Sequence, residues 1–235
     1  MKSCTKEYIR DISARFIFLV LLPAAILSAL VFLNWSAYAG FKENHTDGDD
    51  AGKNQISASD RKLSEPDSPI HYVQTNGAWK DLPYSEGTIE TYGCGLTAAA
   101  TYISWITHDS SYTPETLYNA VGDSCLTDGV NDMRKFCKYI SDNYPVTCSD
   151  QLWDIDDAAM RAINGDCLFA SVKGSLKEGH REYGGHIVLI YRIDANGVWI
   201  ADPGDSTYTG VMSFDRFYEV LGNEDNYFYA LTLNK

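Results

Sequence analysis

The chain has 235 residues, of which 45% are hydrophobic and 22% are charged, so it can bury the core of a globular domain. Its 19 basic and 32 acidic side chains give a formal net charge of −13 at pH 7. A surface of that sign repels nucleic acids and anionic cell-wall polymers, so we expect no nucleic acid as a partner. Neutral or cationic peptides are more compatible with it, although solubility alone is the simpler explanation of the charge.

The N-terminal segment has the pattern of an export signal or a membrane anchor. Residues 16–33 form an 18-residue run without a charged side chain, which is long enough to be a candidate membrane span. Four basic residues precede this run and no basic cluster follows directly, so the N-terminus is expected in the cytoplasm. Ala37-Tyr38-Ala39 matches a small-x-small cleavage site, so residues 1–39 are either a cleaved signal peptide, which we favour, or an uncleaved signal anchor. Both interpretations predict an exported protein, secreted or held at the outer face of the membrane only through this segment.

Residues 40–68 are predicted to be a disordered spacer. The segment is rich in charged and small polar residues, and its only large apolar residues are Phe41, Ile56 and Leu63. Such a composition buries too little apolar surface to offset the entropy of ordering. The remaining residues, 69–235, are numerous enough for one domain with a full core, and they form the predicted folded part.

The first part of the predicted domain has helical patterns. An alanine-rich amphipathic run follows Cys94 and predicts a helix that ends at about Thr107. Thr113-Pro114-Glu115 has the pattern of an N-cap, a first-turn proline and an acidic first turn, which predicts the start of a second helix. Two further helices are predicted, over residues 131–143 and 154–164.

The second part of the predicted domain has strand patterns. Short apolar runs between polar or turn residues predict strands at 167–172, 187–193, 198–201 and 227–233. A turn at 194–197 joins the second and third of these into a hairpin. Ser213 has the position of an N-cap for a short helix over 214–221. Helices first and antiparallel strands second predict an α+β fold.

Cys94 is the first candidate for chemistry. A glycine stands on each side of it, which lets the chain turn sharply and lets a substrate backbone come close. At the start of the predicted helix, the thiol would feel the positive end of the helix dipole and unpaired N–H groups, which favour the thiolate. Because a nucleophilic cysteine needs these properties, we interpret Cys94 as a candidate nucleophile. The alternative is a small buried residue at a tight turn.

A nucleophilic thiol needs a base, and His186 is the best placed of the five histidines. It follows Gly184-Gly185 and opens the predicted strand 187–193, where the glycines leave room for a ligand backbone. Asp202 ends the return strand of the same hairpin, so the folded hairpin should bring it near the His186 ring, which it could orient. The alternatives are a structural histidine at a strand edge and an aspartate that caps the Ala-Asp-Pro-Gly turn.

Four further cysteines lie in the predicted exported domain, namely Cys125, Cys137, Cys148 and Cys167. An even number is compatible with two disulfides outside the cytoplasm, and the sequence does not choose among the three possible pairings. The sequence has no CxxC pair, and the spacing of its cysteines does not suit a zinc site. We therefore predict no metal ion and no other cofactor.

Several segments of the predicted domain resemble the motifs of a known family, the papain-like cysteine peptidases of the bacteriocin-processing type (family thirty-nine of cysteine peptidases), in their secreted stand-alone form. The opening of that family is similar to four segments here: Gln74-Thr-Asn-Gly-Ala-Trp79, Pro83-Tyr84, Gly87-Thr-Ile89 and Gly93-Cys-Gly95. Its histidine and aspartate motifs are similar, in the same chain order, to Gly185-His-Ile-Val188 and Ile200-Ala-Asp-Pro203. The resemblance covers about residues 72–235.

This resemblance implies a papain-like fold, with a helical half that starts at the nucleophile helix, an antiparallel β half that carries the histidine and the aspartate, and a cleft between them. It implies hydrolysis through a thioester acyl-enzyme, with Cys94 as nucleophile, His186 as general base and acid, and Asp202 as the residue that orients the ring. The family also uses an upstream glutamine as an oxyanion donor, and Gln74 is the only glutamine between the spacer and Cys94. The gap is 20 residues, longer than in transporter-fused members, and Leu96 stands where the family often has proline.

The sequence therefore predicts an exported cysteine peptidase or amidase that acts on a peptide or peptide-like substrate. Two alternatives stay open. One is a catalytically inactive papain-fold module that binds peptides or other partners. The other is a cell-wall amidase or cross-linking enzyme with the same three side chains, since fold and triad do not determine the acceptor. A leader-peptidase role within a transporter is not expected, because no transporter segments follow.

Overall fold

The structure, a computed structural model, describes residues 68–177, 182–204 and 209–234. These residues belong to one compact unit, Lys62–Lys235. The predicted export signal and all but the last residue of the predicted spacer lie outside the described residues, so both stay predictions. Within the described part, no helix combines the length and the apolar character needed to cross a membrane.

The helical half begins with a small β-hairpin and a short helix and continues with three longer helices. Its elements, in chain order, are β1 (Pro83–Tyr84), β2 (Gly87–Thr88), α1 (Ile89–Tyr92), α2 (Cys94–Thr107), α3 (Pro114–Val121), a 3-10 turn (Gly122–Cys125), β3 (Leu126–Thr127), β4 (Val130–Asn131) and α4 (Met133–Asn143). The helix predicted from Cys94 to Thr107 is confirmed. The helix predicted from residue 131 begins two residues later, because β4 pairs with β3 and Asp132 caps the helix.

The β half is built on one six-stranded sheet, with two helices inserted along the chain. Its elements are β5 (Val146–Cys148), α5 (Ile155–Ile163), β6 (Cys167–Gly174), β7 (Tyr183–Asp194), β8 (Gly197–Ala201), β9 (Thr209–Met212), α6 (Phe214–Leu221) and β10 (Phe228–Leu233). The strand order is β5-β10-β6-β7-β8-β9, and every neighbouring pair is antiparallel. The predicted α+β fold, with a helical half followed by an antiparallel β half, is confirmed.

Polar side chains cap the helices at the positions expected from the sequence. The Thr113 side chain accepts a hydrogen bond from the Thr116 N–H, with Pro114 as the first helical residue of α3. The Ser213 hydroxyl accepts one from the Arg216 N–H at the start of α6. An N-cap of this kind contributes about 1 kcal/mol to helix stability.

Strand β7 is longer than the sequence predicted. It begins at Tyr183 rather than Ile187, because β6 extends to Gly174 and pairs with Tyr183 there. His186 therefore lies inside the strand, opposite Val172, and the prediction that it opens the strand is wrong. The pairing changes register between Val172 and Gly174, so the first residues of β7 follow an irregular path.

The sheet separates two layers of buried side chains. On β7, Ile187 and Leu189 face one layer, which contains the buried alanines of α2 and apolar residues of α4. Val188 and Ile190 face the other layer, which contains apolar residues of α5 and α6. Successive side chains of a strand point to opposite faces, so β7 is apolar on both sides. Helix α2 packs directly against this strand.

The five cysteines of the described residues are free thiols. Of the four considered for disulfides, Cys137 and Cys148 lie together, with the Cys148 sulfur 3.4 Å from the Cys137 carbonyl oxygen. The Cys167 sulfur lies 3.8 Å from a different carbonyl oxygen, that of Tyr191. The structure thus contains neither of the two disulfides with which the sequence was compatible.

Candidate active site

Cys94 is the first residue of α2, and its sulfur lies at the positive end of that helix. The first N–H groups of a helix have no partner within the helix. The backbone N–H groups of Gly95 and Ile187 lie beside the Cys94 sulfur and lower the pKa of its thiol. The residue as a whole is half-buried. The predicted environment of a stabilised thiolate is therefore present.

The glycines on both sides of Cys94 are required by close packing. A Cβ atom at Gly93 would lie 2.5 Å from the Ile89 carbonyl oxygen, and a Cβ atom at Gly95 would lie 2.7 Å from the Cβ atom of Asn131. Neither distance leaves room for a side chain. These glycines were expected to allow a sharp turn and the approach of a substrate, and the structure adds the close approach of α1 and β4 to the start of α2.

His186 and Asp202 form a buried hydrogen-bonded pair. The distance between His186 Nε2 and Asp202 Oδ1 is 2.6 Å, and the two residues are 6% and 1% exposed. In the hairpin of β7 and β8, Leu189 pairs with Ala201. The residues just beyond this pair lie at the same end of the hairpin, which is how the predicted turn brings His186 and Asp202 together.

The His186 ring links Asp202 to Cys94. Its Nε2 atom faces Asp202, and the ring lies close enough to the Cys94 thiol for each group to shift the pKa of the other. Because an imidazole has two nitrogens, we assign the contact with sulfur to Nδ1. The structure brings the three side chains together in the order Cys94, His186, Asp202, and their catalytic roles stay predictions.

The electrostatics of the site favour a thiolate beside an imidazolium. Burial raises the pKa of the Cys94 thiol, but the hydrogen bond and charge of His186, with the N–H groups of Ile187 and Gly95, outweigh burial and lower this pKa below its usual value. Burial lowers the pKa of His186, but hydrogen bonds to Asp202 and Cys94 outweigh it and raise this pKa to about 9. The opposite shifts belong to one coupled pair, in which the ring holds the proton and the sulfur carries the negative charge.

The Asp202 carboxylate accepts several hydrogen bonds in addition to that of His186. The Tyr183 hydroxyl and the Gly204 N–H each donate to it at 2.8 Å. The Tyr183 ring also stacks on the His186 ring, with centroids 3.9 Å apart and planes within 11°. A Cβ atom at position 204 would lie 2.7 Å from the Tyr183 hydroxyl oxygen, so this turn requires glycine. Tyr183 was not among the predicted site residues, because the predicted strand began after it.

Gln74 is buried beside the site, between the segment that precedes Cys94 and the turn that follows Asp202. Its backbone N–H donates to the Pro203 carbonyl at 2.8 Å, and its side-chain Nε2 donates to the Glu90 carbonyl at 2.5 Å. An amide has two hydrogens, so one remains for another acceptor. The role of Gln74 as an oxyanion donor stays a prediction, as does that of the Cys94 backbone N–H.

Asn131 is a second residue of the site that was not predicted from the sequence. Its amide nitrogen Nδ2 lies 3.6 Å from the Cys94 sulfur, although the two residues are 37 positions apart. The sequence assigned residue 131 to the start of a helix, and no local pattern links it to the cysteine. Only the packing of β4 against the start of α2 brings them together.

The other histidines do not compete with His186 for the thiol in the described part of the chain. His71 bonds through Nε2 to the Asp202 backbone carbonyl at 2.5 Å, and His108 is exposed at the end of α2. His45 and His180 lie outside the described residues. Across the described ranges, no group of three or more His, Cys, Asp or Glu side chains could hold a metal ion.

Comparisons with known proteins give structural matches alone. No protein-family model matches the chain, and no curated protein matches it. Among solved structures, the chain is similar to a protein described as a C39-like peptidase from Bacillus anthracis, with 13% identity and a TM-score of 0.43, over 73% of this chain and 100% of that chain.

Two further solved structures are similar to it. One is a double-glycine motif protease from an AMS/PCAT transporter in complex with the leader peptide, with 14% identity, a TM-score of 0.37, and coverage of 59% of this chain and 84% of that chain. The other is a variant of the Salmonella effector SpvD, with 12% identity, a TM-score of 0.38, and coverage of 81% and 85%.

Proposed function

We propose that the protein is an exported papain-like cysteine peptidase or amidase that hydrolyses a peptide-like amide bond through a thioester acyl-enzyme. The observation that carries this proposal is the linked arrangement of Cys94, His186 and Asp202. The thiol begins a helix, the imidazole contacts it, and the carboxylate lies 2.6 Å from the far nitrogen of the same ring. A nucleophile, a base and a residue that orients the base are the parts that this chemistry needs.

In the proposed acylation step, the Cys94 thiolate attacks the carbonyl carbon of the amide and forms a C–S bond. The carbonyl oxygen takes the π electron pair and becomes an oxyanion. The His186 imidazolium then donates its proton to the amide nitrogen, the C–N bond breaks, and the amine leaves. The products of this step are a free amine, a thioester on Cys94 and a neutral imidazole.

In the proposed deacylation step, neutral His186 takes a proton from water, and the water oxygen attacks the thioester carbonyl. The second tetrahedral intermediate collapses with cleavage of the C–S bond, which releases a carboxylic acid and restores the thiolate–imidazolium pair. The expected oxyanion donors in both steps are the Cys94 backbone N–H and the Gln74 side chain. Asp202 holds the ring through Nε2, which leaves Nδ1 for the sulfur.

The substrate class follows from the chemistry and the charge. An activated thiolate attacks carbonyl carbon, and an adjacent imidazolium can protonate an amine leaving group, so the site suits amide bonds. The net charge of −13 favours neutral or cationic peptides over anionic polymers. The uncharged run at residues 16–33 supports export, which stays part of the proposal.

The burial and hydrogen bonding of Asp202 argue against the alternative of a catalytically inactive binding module. A module retained only for binding would have no need for a carboxylate that is 1% exposed and accepts hydrogen bonds from His186, Tyr183 and Gly204. Burying a charged group is costly unless it is paired and hydrogen-bonded. The cell-wall amidase or cross-linking alternative uses the same site and differs only in the substrate or the acceptor.

The test is a cleavage screen with the purified protein and its Cys94→Ala variant. Peptide libraries and purified peptidoglycan are incubated with each, and the products are identified by mass spectrometry. We expect cleavage by the wild type alone, together with labelling of Cys94 by a thiol-directed electrophilic probe. Equal cleavage by both proteins would refute the proposal, and labelled Cys94 without any cleavage would favour a binding module. Cleavage of peptidoglycan alone, or transfer of the acyl group to an amine, would identify the third alternative.

A further inference from the structure

The side chain of Asn131 makes three hydrogen bonds at the start of α2. Its Nδ2 atom donates to the Cys94 sulfur at 3.6 Å and to the Tyr92 carbonyl oxygen at 2.6 Å. Its Oδ1 atom accepts from the Tyr84 hydroxyl at 3.0 Å. The residue ends β4, where it pairs with Leu126 of β3. The sulfur therefore has a neighbour from the helical half in addition to His186 from the β half.

The orientation of the Asn131 amide follows from its partners. A backbone carbonyl oxygen can only accept a hydrogen bond, so the amide atom that faces Tyr92 must be the nitrogen. The oxygen of the amide then faces the Tyr84 hydroxyl, which donates to it. Burial raises the pKa of Tyr84, so this hydroxyl stays protonated and remains a donor. The N–H that faces the Cys94 sulfur is thus determined by two other contacts.

The surrounding structure holds the amide in this place. Tyr84 is 1% exposed, and its ring contacts the ring of Tyr118 edge-on at 6.3 Å. Gly95 has no side chain, and a Cβ atom there would lie 2.7–2.9 Å from three atoms of the Asn131 side chain. The glycine after the cysteine is what allows the amide to reach the sulfur.

We infer that Asn131 is a further catalytic residue, whose amide N–H hydrogen-bonds the Cys94 thiolate and whose position is set by Tyr84. This inference rests on the proposed role of Cys94 as the nucleophile. A carboxamide does not give up its proton near neutral pH, so it stabilises the negative sulfur without neutralising it. His186 loses its proton to the leaving amine, whereas Asn131 keeps its donor throughout. The donor is then available when the sulfur becomes a thiolate again at the end of deacylation.

Several groups besides Asn131 affect the ionisation of Cys94, and a test must distinguish the effect of Asn131 from theirs. His186 and the N–H groups of Gly95 and Ile187 lower the pKa of Cys94. Tyr227 also lies close enough to interact electrostatically with it. Loss of Asn131 should therefore reduce the stabilisation of the thiolate without removing it, while loss of His186 removes the main contribution.

The experiment measures the rate at which iodoacetamide alkylates Cys94 across a pH series, from the mass of the Cys94 peptide in the full-length protein. The variants are Asn131→Ala, Asn131→Asp and Tyr84→Phe. A hydrogen bond to a charged group commonly changes its ionisation equilibrium by about tenfold, which is one pKa unit. We therefore expect Asn131→Ala to raise the midpoint of the alkylation profile by about one pH unit. Asn131→Asp should raise it at least as far, because it replaces the donor with a negative charge. Tyr84→Phe should raise it less.

The matched control is Asn143→Ala. Asn143 is an exposed asparagine on α4, and its Nδ2 atom also donates to a backbone carbonyl, that of Tyr139, at 2.8 Å. Its profile should equal that of the wild type. Circular dichroism and thermal unfolding establish that each variant is folded.

The outcomes separate this inference from the proposed function. A low midpoint in the wild type that is unchanged in folded Asn131 variants would overturn the role of Asn131 and leave the peptidase proposal intact. A wild-type midpoint at the value of an ordinary thiol would overturn both. If Asn131→Ala does not fold, Tyr84→Phe serves as the test, because it removes only the hydroxyl that donates to Asn131. An unchanged alkylation midpoint in that variant would contradict the inference.

Discussion

The two halves of the domain supply different kinds of group to the candidate site. The β half supplies His186, within β7, and Asp202, directly after the end of β8, and both are almost fully buried. The helical half supplies Cys94, which is half-buried, and packs two short elements, α1 and β4, against the start of its helix. The buried pair is thus held by the sheet, and the candidate nucleophile is the most exposed of the three residues.

The two halves also stabilise a negative charge on the sulfur in different ways, one with a charged group and the other with neutral donors. The β half offers an imidazole whose pKa is raised to about 9. The helical half offers only neutral donors, the Gly95 N–H and the Asn131 amide. Changes at His186 should therefore affect both the ionisation of Cys94 and the protonation of the leaving amine, whereas changes to these donors of the helical half should affect only the ionisation of Cys94.

The largest expected effect comes from His186→Ala. The substitution removes the group that ionises Cys94 and protonates the leaving amine. Activity should therefore fall as far as in Cys94→Ala, by about 10²–10⁴-fold. The measurement is the initial rate on any peptide cleaved by the wild type. His108→Ala is the matched control, because His108 is exposed at the end of α2, and His180→Ala should also have little effect. A larger loss in either control than in His186→Ala would assign the base to another histidine.

Gln74→Ala tests the oxyanion donor and should lower the turnover rate by about 10²–10³-fold. Substrate affinity should change little, because that hydrogen bond strengthens only in the transition state. The variant also loses the contact with the Glu90 carbonyl, so its melting temperature should fall. Gln151→Ala is the control, since the Gln151 side chain accepts from the Tyr229 hydroxyl, and its loss should affect stability without affecting turnover. A stable Gln74→Ala variant with normal turnover would exclude Gln74 as a donor.

Asp202→Asn should reduce activity less than His186→Ala, by about tenfold, the equivalent of one pKa unit of stabilisation. The amide oxygen can still accept from His186 Nε2, and the amide nitrogen can donate to the Tyr183 hydroxyl oxygen. What is lost is the negative charge that stabilises the imidazolium. A loss equal to that of His186→Ala, in a folded protein, would mean that Asp202 has a different role.

The same substitution has a predicted sign in the pH profile. The wild-type rate should rise as Cys94 ionises, and it should fall as pH increases through about 9, where His186 loses its proton. The pKa of His186 is raised in the folded protein above its unfolded value of about 6.5. Protonated His186 therefore stabilises the fold fully below about pH 6.5, and this contribution is lost as pH rises through about 9. Asp202→Asn should move the alkaline limb of the rate profile to lower pH. If the alkaline limb does not move in Asp202→Asn, the loss of rate at high pH must come from the titration of a group other than His186.

Much of the fold could be predicted from the sequence, because its signals are local. The apolar run after Cys94, the cap at Thr113 and the turn at 194–197 each determine an element with little help from distant residues. The meeting of His186 with Asp202 could also be predicted, since one hairpin joins them. These are contacts that a short stretch of chain specifies by itself.

The residues that were missed depend on packing between distant segments or on irregular pairing. Asn131 reaches Cys94 only because a two-residue strand packs against the start of α2. Tyr183 reaches Asp202 because β6 lengthens β7 beyond its apolar run, through a change of register near Val172. Neither contact has a periodic pattern in the sequence, since periodicity reports which side chains are apolar and these two are polar groups that meet across the fold.

The smallest expected effect, and the finest test of the β half, comes from Tyr183→Phe. The variant keeps the ring that stacks on His186 and removes only the hydroxyl that donates to Asp202 at 2.8 Å. With one donor fewer, the carboxylate keeps more of its negative charge for His186, so the alkaline limb should move to higher pH, opposite to the shift in Asp202→Asn. The rate should fall only about threefold, since a single hydrogen bond is lost and the ring stays in place. Tyr218→Phe is the matched control, because it removes an exposed tyrosine hydrogen bond to Asp156 at 3.0 Å and should leave the profile unchanged. Shifts of the same sign in Tyr183→Phe and Asp202→Asn would show that the hydroxyl acts on the His186 ring by some route other than the carboxylate charge.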